Sequence, residues 1–514
     1  MKKKIVFFFP AFSSLEATAP LGILAVARPL LDAGYDVRLI DSTITPDFER
    51  RVVEEMQDAL CLAISLVTGP MIRETALVSR TVKRLYPGKP IILGGWHPSL
   101  LPDQTLQADF VDIVVRGQGE SALLEVVERL AEHAPLHNVL GVGFKEDGKV
   151  VLNPERPLRP LRELPAKAYE LGDYDAYERR CGRRWAMYIS SLACPYQCAY
   201  CTNEGVYGRA WNALPAEQVV FEMKDLVERY QFELLWVVDD NFLVDRHRAV
   251  AIAEGLLQGG IRFRWSIQAS TNLVTRLTVA ELTLLRKSGL QQICHGAESA
   301  SPKVLQLMDK GFQKIETMIE AAEKCTQAGI RPSFNIIFGF PGEGEAERRE
   351  TIQFIRKVCL QYPGAEFWTN IFTPYPGAPI LRQAGRLGIE IPQTFEGWID
   401  FFPRYTILPW LKGVEHRRVQ RMREYLRMAY ERVPIAADRR HGLVKAVHRL
   451  LNYPARLRLR LGVYSIPLEI ALKRCLERLF AASKPRVDAQ FLETTRPSPQ
   501  ESVWSSKVAS PSTQ

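Results

Sequence analysis

Three cysteines stand within eight residues at Cys194-Pro195-Tyr196-Gln197-Cys198-Ala199-Tyr200-Cys201, after the strand-like run Trp185 to Ser191. No other feature constrains the chain as much. The chain has nine cysteines in 514 residues, too few for a disulfide scaffold, so a cluster of three points to metal or redox chemistry. Three thiolates on one tight loop can hold three irons of a [4Fe–4S] cube and leave the fourth iron open. An open iron can be chelated by an amine and a carboxylate, as in the methionyl part of S-adenosylmethionine. The alternative is a zinc site with Cys181 as the fourth ligand, but structural zinc usually uses two close Cys or His pairs.

The residues that follow repeat one unit. Apolar strands are expected at Leu234 to Phe242, Arg262 to Ala269, Gln291 to Ser299, Arg331 to Phe340 and Glu366 to Phe372. Amphipathic helices separate them at Glu217–Tyr230, Arg248–Gln258, Val279–Ser288, Ile315–Ala328 and Ala346–Gln361. With the strand before the cysteines this makes six βα units, most of a barrel. Functional residues are expected at the strand carboxyl ends.

The first 135 residues alternate in the same way. Strands are expected at Lys4–Phe9, Asp36–Asp41, Cys61–Ser65, Pro90–Gly95 and Val111–Val115, with helices between them. A parallel, doubly wound, Rossmann-like sheet follows, with its ligand at the strand carboxyl ends. Those ends carry Asp41, Ser65, Thr68, Gly94, Gly95, His97, Gly117, Gly119 and Glu120. No Gly-x-Gly-x-x-Gly follows the first strand and no Walker A loop is present, which speaks against dinucleotides and nucleoside triphosphates. The pair Gly94-Gly95 lets a large flat ligand lie against the backbone. Residues 136–180 are expected to be a linker, with a hairpin around Asp147-Gly148 and prolines at 154, 157, 160 and 165.

Together these motifs resemble the cobalamin-dependent (class B) radical S-adenosylmethionine enzymes. The residues that carry the resemblance are the cysteine loop, Asp239-Asp240-Asn241-Phe242, Gly296-Ala297-Glu298-Ser299 and Phe338-Gly339-Phe340-Pro341-Gly342-Glu343. The first domain is similar to the cobalamin-binding domain found ahead of such barrels. The resemblance implies three cofactors: a [4Fe–4S] cluster on Cys194, Cys198 and Cys201, S-adenosylmethionine, and cobalamin. It implies that Tyr200 lies near adenine, Glu298 accepts from the ribose hydroxyls, Asp239 and Asp240 bind the methionyl ammonium, and Gly339 to Gly342 pass close to adenine. Plainer readings stand beside these: Glu298 as a core-edge residue, the aspartates as helix caps, His97 as a strand-end polar residue rather than a cobalamin contact. Two departures from the family are visible. The signature Asp-x-His-x-x-Gly is absent from the first domain, so no histidine is expected to replace the nucleotide base below the corrin. Gln268-Ala269-Ser270 stands where relatives often carry arginine, which leaves the methionyl carboxylate without its usual partner.

The remaining segments are expected to be a helical region at 396–483 and a disordered tail at 484–514, after a barrel domain at 181–395. Trp398, Phe401, Phe402, Tyr405 and Trp410 either line an apolar cavity or pack on the barrel mouth. Residues 411–480 hold 17 Lys/Arg against 6 Asp/Glu, a net +11 within a chain of net +9. A solvated basic face, a peripheral membrane contact and a nucleic-acid patch all fit that charge, and low aromatic interleaving disfavours nucleic acid. No apolar run reaches the roughly 18 residues of a membrane span, and Pro10 breaks the signal-like start, so a cytoplasmic location is expected. The expected function is C-methylation of an unactivated carbon of an apolar small molecule, such as a tetrapyrrole or hopanoid. A flavodoxin or ferredoxin would donate the electron. Radical ring formation without methyl transfer is the alternative among enzymes, and a cobalamin-binding regulatory module the alternative outside them.

Overall fold

The computed structural model describes residues 3–12, 17–260, 262–401, 408–430 and 442–481. The expected disordered tail, Phe402 and Tyr405 lie outside these residues. Two sheets organise the chain. The first has the order β2-β1-β3-β4-β5-β6-β7. Its strands are β1 (Lys4–Phe9), β2 (Asp36–Asp41), β3 (Ala59–Ser65), β4 (Ile91–Gly94), β5 (Ile113–Val115), β6 (Val142–Glu146) and β7 (Lys149–Leu152). The first five are parallel. Alternation along β1 explains the double winding: Ile5 and Phe7 enter one core, Val6 and Phe8 the other.

The segment 136–180, expected as a linker, is in part sheet. β6 pairs antiparallel with β5 and β7 with β6. Asp147 and Gly148 both have positive φ, 47° and 76°, as a two-residue hairpin turn requires. The rest of that segment ties the two sheets together. Ala168 donates to the Leu24 carbonyl and the Tyr169 hydroxyl to the Met187 carbonyl.

The second sheet is all parallel, in the order β15-β14-β13-β12-β11-β8. It comprises β8 (Trp185–Tyr188), β11 (Leu234–Val237), β12 (Arg264–Gln268), β13 (Leu290–Glu298), β14 (Arg331–Phe338) and β15 (Glu366–Ile371). This is the expected six-stranded partial barrel. A small antiparallel pair, β9 (Ser191–Leu192) and β10 (Asn212–Ala213), closes the loop that carries the cysteines.

The chain then returns to the first domain. Trp398 is buried against it, donating from Nε1 to Gln104 Oε1 at 2.6 Å, and Glu396 meets Arg80 in a two-bond ion pair. Trp410 instead sits on the barrel, donating to the Gly339 carbonyl. So Trp398 and Trp410 are packing residues, one for each domain. Helices at Gly413–Tyr430, Gly442–Leu461 and Leu468–Ala481 complete the chain. Among the described residues no helix is long and apolar enough to cross a membrane.

Candidate active site

The cysteine loop is held from several directions. Ala193, with φ of 67°, turns the chain sharply ahead of Cys194. Ala199 donates to the Met308 carbonyl and accepts from the Ile380 amide. Tyr196 stacks on Phe312 at 4.0 Å. Asn241 reaches Cys194 Sγ at 3.8 Å and Ser270 Oγ at 3.1 Å, so the end of β12 orients the loop as well. Burial raises the thiols of Cys194 and Cys198 and pushes Cys201 up to about 11. Neutral thiols are therefore favoured until a cation arrives.

The zinc alternative does not fit. Cys181 donates its thiol to the Ala17 and Tyr177 carbonyls. Among the described residues no three His, Cys, Asp or Glu side chains could share one ion. Three thiols that each bind a different iron of a cube need not converge on one point, so the loop fits the cluster and not a single metal ion.

Next to the loop lies a buried group that the sequence only half revealed. Glu298 Oε1 accepts from Tyr200 Oη at 2.9 Å and from Lys310 Nζ at 3.1 Å. The lysine also donates to Tyr200 Oη at 3.0 Å. β13 slips its register between Gly296 and Glu298, and Glu298 takes φ of 61°, a strained conformation that aims its carboxylate at the loop. Gly296 makes the room, since a Cβ there would stand 2.5 Å from Glu298 Oε1 and 2.9 Å from Lys310 Nζ. Burial pulls the Lys310 ammonium down, but the Glu298 carboxylate beside it leads the opposing charges and the net shift is upward. Lys310 follows a helix in sequence and nothing local marks it.

The two aspartates divide. Asp239 is fully buried and accepts three bonds of 2.6 Å, from the Ser190 amide and the hydroxyls of Ser190 and Ser191. Arg248, which the sequence did not single out, braces the same turn through the Ser190 hydroxyl at 2.8 Å. Asp239 is thus occupied in holding the strand end that launches the cysteine loop. Asp240 points the other way. It is open to water yet surrounded by protein, and burial raises it to about 6. The Gly339–Gly342 segment follows β14, with β13 and β12 between it and β11; φ is positive at both glycines, and Glu343 accepts from the Gly339 amide at 2.5 Å.

The carboxyl ends of the first sheet face this barrel mouth. Leu100 inserts where Cβ atoms on Gly205 and Gly377 would clash with it. Trp96 meets Tyr207 edge-on at 5.6 Å. Burial, helped by the charges of Glu120 from the first domain and Asp240 from the barrel, holds the Tyr207 phenol well above its ordinary range. Lys167, from the proline-rich segment, lies 5.8 Å over the Tyr188 ring, and burial pulls its ammonium down despite the opposing charges of Glu222, Glu120 and Asp239.

The nine residues expected around cobalamin separate into two groups. Ser65, Gly94, Gly117 and Glu120 stay on the partly open edge. At Gly117, φ of 67° combines with empty space where a Cβ would stand, a surface suited to a flat macrocycle. The others serve the protein itself. Asp41 accepts from the Thr43 amide and hydroxyl and from Tyr177 Oη at 2.6 Å. Gly95 and Gly119 admit Leu66 and Val26. Thr68 is buried and bonded to His97 Nδ1 at 2.9 Å. His97 has no exposed surface, packs on Phe395 and Trp398, and is pulled down by burial to about 3. The expected contact of His97 with cobalamin is not supported by this placement, because the returning segment around Phe395 covers the ring.

Comparison with known proteins matches two family models. Residues 12–127 match the B12 binding domain and residues 188–355 the radical SAM superfamily. The chain is 27% identical to an uncharacterized methyltransferase, PH0819, of Pyrococcus horikoshii, over 80% of this chain and 86% of the relative. It is 25% identical to an anaerobic magnesium-protoporphyrin IX monomethyl ester cyclase of Synechocystis, over 85% and 90%. The fold matches that of the cobalamin-dependent S-adenosylmethionine radical enzyme OxsB, with a TM-score of 0.69 at 14% identity, over 93% of this chain and 75% of that one. The chain therefore combines a B12 binding domain with a radical SAM domain, and these two imply a [4Fe–4S] cluster, S-adenosylmethionine and cobalamin as cofactors.

Proposed function

We propose that this enzyme is a C-methyltransferase acting on an unactivated carbon of an apolar substrate, of tetrapyrrole or hopanoid type. The observation that carries the reading is the meeting of the two strand-end faces, where Trp96 of the first domain lies edge-on to Tyr207 at 5.6 Å and Leu100 fills the space left at Gly205 and Gly377. Strand ends that meet in this way can bring a methyl donor and a radical source to one carbon. When bound, the cluster with S-adenosylmethionine supplies hydrogen abstraction, and cobalamin supplies the methyl group.

The chain's own residues position and shield. Cys194, Cys198 and Cys201 hold the irons. Asp240, the open carboxylate, takes the methionyl ammonium. Lys310 takes the methionyl carboxylate, in place of the arginine missing at Gln268-Ala269-Ser270. Glu298 bonds Lys310 and Tyr200 through Oε1 and turns Oε2 to the ribose hydroxyls. Tyr200 and the backbone from Gly339 to Gly342 flank adenine. Ser65, Gly94, Gly117 and Glu120 line the corrin. A flavodoxin or ferredoxin supplies the electron.

The test is anaerobic incubation of the loaded enzyme with methyl-deuterated S-adenosylmethionine and a lipid or pigment extract, read by mass spectrometry. A product carrying the labelled methyl supports the reading. A second reading, ring formation without methyl transfer, draws on the similarity to the cyclase. It requires deoxyadenosine formation and a product that lacks the label.

A further inference from the structure

The last three helices carry a surface that the reaction does not use. On the helix Gly442–Leu461, Leu451, Ala455 and Leu459 are buried against the barrel side. The opposite stripe is apolar too. Leu450, Tyr453, Leu457 and Leu461 follow one another at helical spacing and are 46% to 77% exposed. Ile466, Leu468 and Leu472, which follow in the next turn and helix, are all at least half exposed as well. Large apolar residues scattered singly need no explanation, but a continuous stripe marks a binding surface.

Beside the stripe lies a cavity of about 270 Å³, and Leu461 belongs to both. Six arginines line it: Arg348, Arg349, Arg356, Arg418, Arg456 and Arg460. Glu345 is the one carboxylate in that lining, and Arg349 and Arg418 share it at 2.6 and 2.9 Å. Arg348 is paired with Glu343 and Glu415. Arg456 lies over the Tyr430 ring and donates to a carbonyl. Arg356, Arg456 and Arg460 have no carboxylate partner among the described residues. Arginine forks match phosphate oxygens, and an apolar stripe edged by arginine is the build of a helix that lies in a lipid interface.

We propose that this face docks the enzyme on an anionic phospholipid bilayer, with a lipid phosphate in the arginine cavity and the leucine stripe among the acyl chains. The charge selects the occupant: a second copy of this chain would bring its own arginines to the same cavity. The inference stands apart from the reaction and holds whichever product the enzyme makes.

The experiment is flotation of the full-length protein with phosphatidylcholine vesicles, with and without phosphatidylglycerol. Binding to anionic vesicles is expected to exceed binding to neutral ones at least tenfold. It is expected to weaken as salt rises to 1 M, where the screening length falls to about 3 Å. Arg356→Gln/Arg456→Gln/Arg460→Gln removes the preference for anionic lipid. Leu457→Glu/Leu461→Glu abolishes flotation, and both variants replace exposed side chains, so wild-type melting is expected. Four results overturn the proposal: no flotation at low salt, equal binding to both vesicles, variants that bind like wild type, or inorganic phosphate protecting the cavity without any vesicle binding. A concentration-dependent dimer lost in Leu457→Glu/Leu461→Glu would also overturn it.

Discussion

Replacing Lys310 by methionine tests whether the Glu298–Lys310 pair organises the site. The two side chains are 8% and 5% exposed and lie 3.1 Å apart. At that distance, with an effective dielectric of about 20, their attraction is about 5 kcal/mol. Desolvation of both charges offsets much of this, so the pair adds little net stability. Removing one partner is different, because the other is left buried and alone, at a cost of about 3–5 kcal/mol. For a domain of this size each kcal/mol lowers the melting temperature by roughly 2–4 °C, so Lys310→Met should melt about 6–20 °C below wild type. Glu298→Leu strands the lysine and should cost a similar amount. The double variant Lys310→Met/Glu298→Leu buries no charge and should regain most of the loss. Anaerobic calorimetry or thermal fluorescence on the four proteins completes the cycle. A single variant melting within about 2 °C of wild type, or a double variant falling below both singles, would refute the argument.

Four other outcomes are expected. Asp239→Asn should cost about 2–4 kcal/mol in denaturant melts, because the amide cannot accept all three bonds and leaves buried donors unpaired. Asp240→Asn should melt at or above wild type at pH 7, because it removes a charge that burial disfavours, and should weaken S-adenosylmethionine binding by calorimetry. In the wild type that binding should weaken as pH falls through about 6, where Asp240 takes up a proton, whereas the folding contribution of its raised pKa runs the other way and is lost as pH rises through 6. Cys194→Ala, purified anaerobically, should lose the visible absorbance of the cluster, and retention of about four irons per chain would contradict the ligand set. His97→Ala should cost about 2–4 kcal/mol by opening a cavity under Phe395 and Trp398, and should leave the cob(II)alamin resonance without any change in nitrogen coupling.

The parallel strands of both sheets were legible from the residues alone, but the addition of β6 and β7 to the first sheet was not. Parallel strands buried on two faces are runs of Val, Ile, Leu and Phe, as in β1, whereas β2 at the sheet edge keeps Arg38 exposed. The cysteine loop was legible because its three ligands are local: cluster chemistry needs only their spacing. Glycine placement was legible only in part, since Gly95 and Gly117 read alike in sequence while one meets Leu66 and the other open space. What only the tertiary structure decided is which of several chemically equal residues is free to act. Asp239 and Asp240 are neighbours, yet Ser190 and Ser191 claim one and the other stays exposed. Asp41 is taken by Tyr177, 136 positions away, and His97 is sealed by a segment some 300 residues later. Lys310 gains its partner Tyr200 across 110 positions of sequence. Spacing and periodicity record local geometry, but burial, pairing and charge are set by neighbours that only the closed chain brings together.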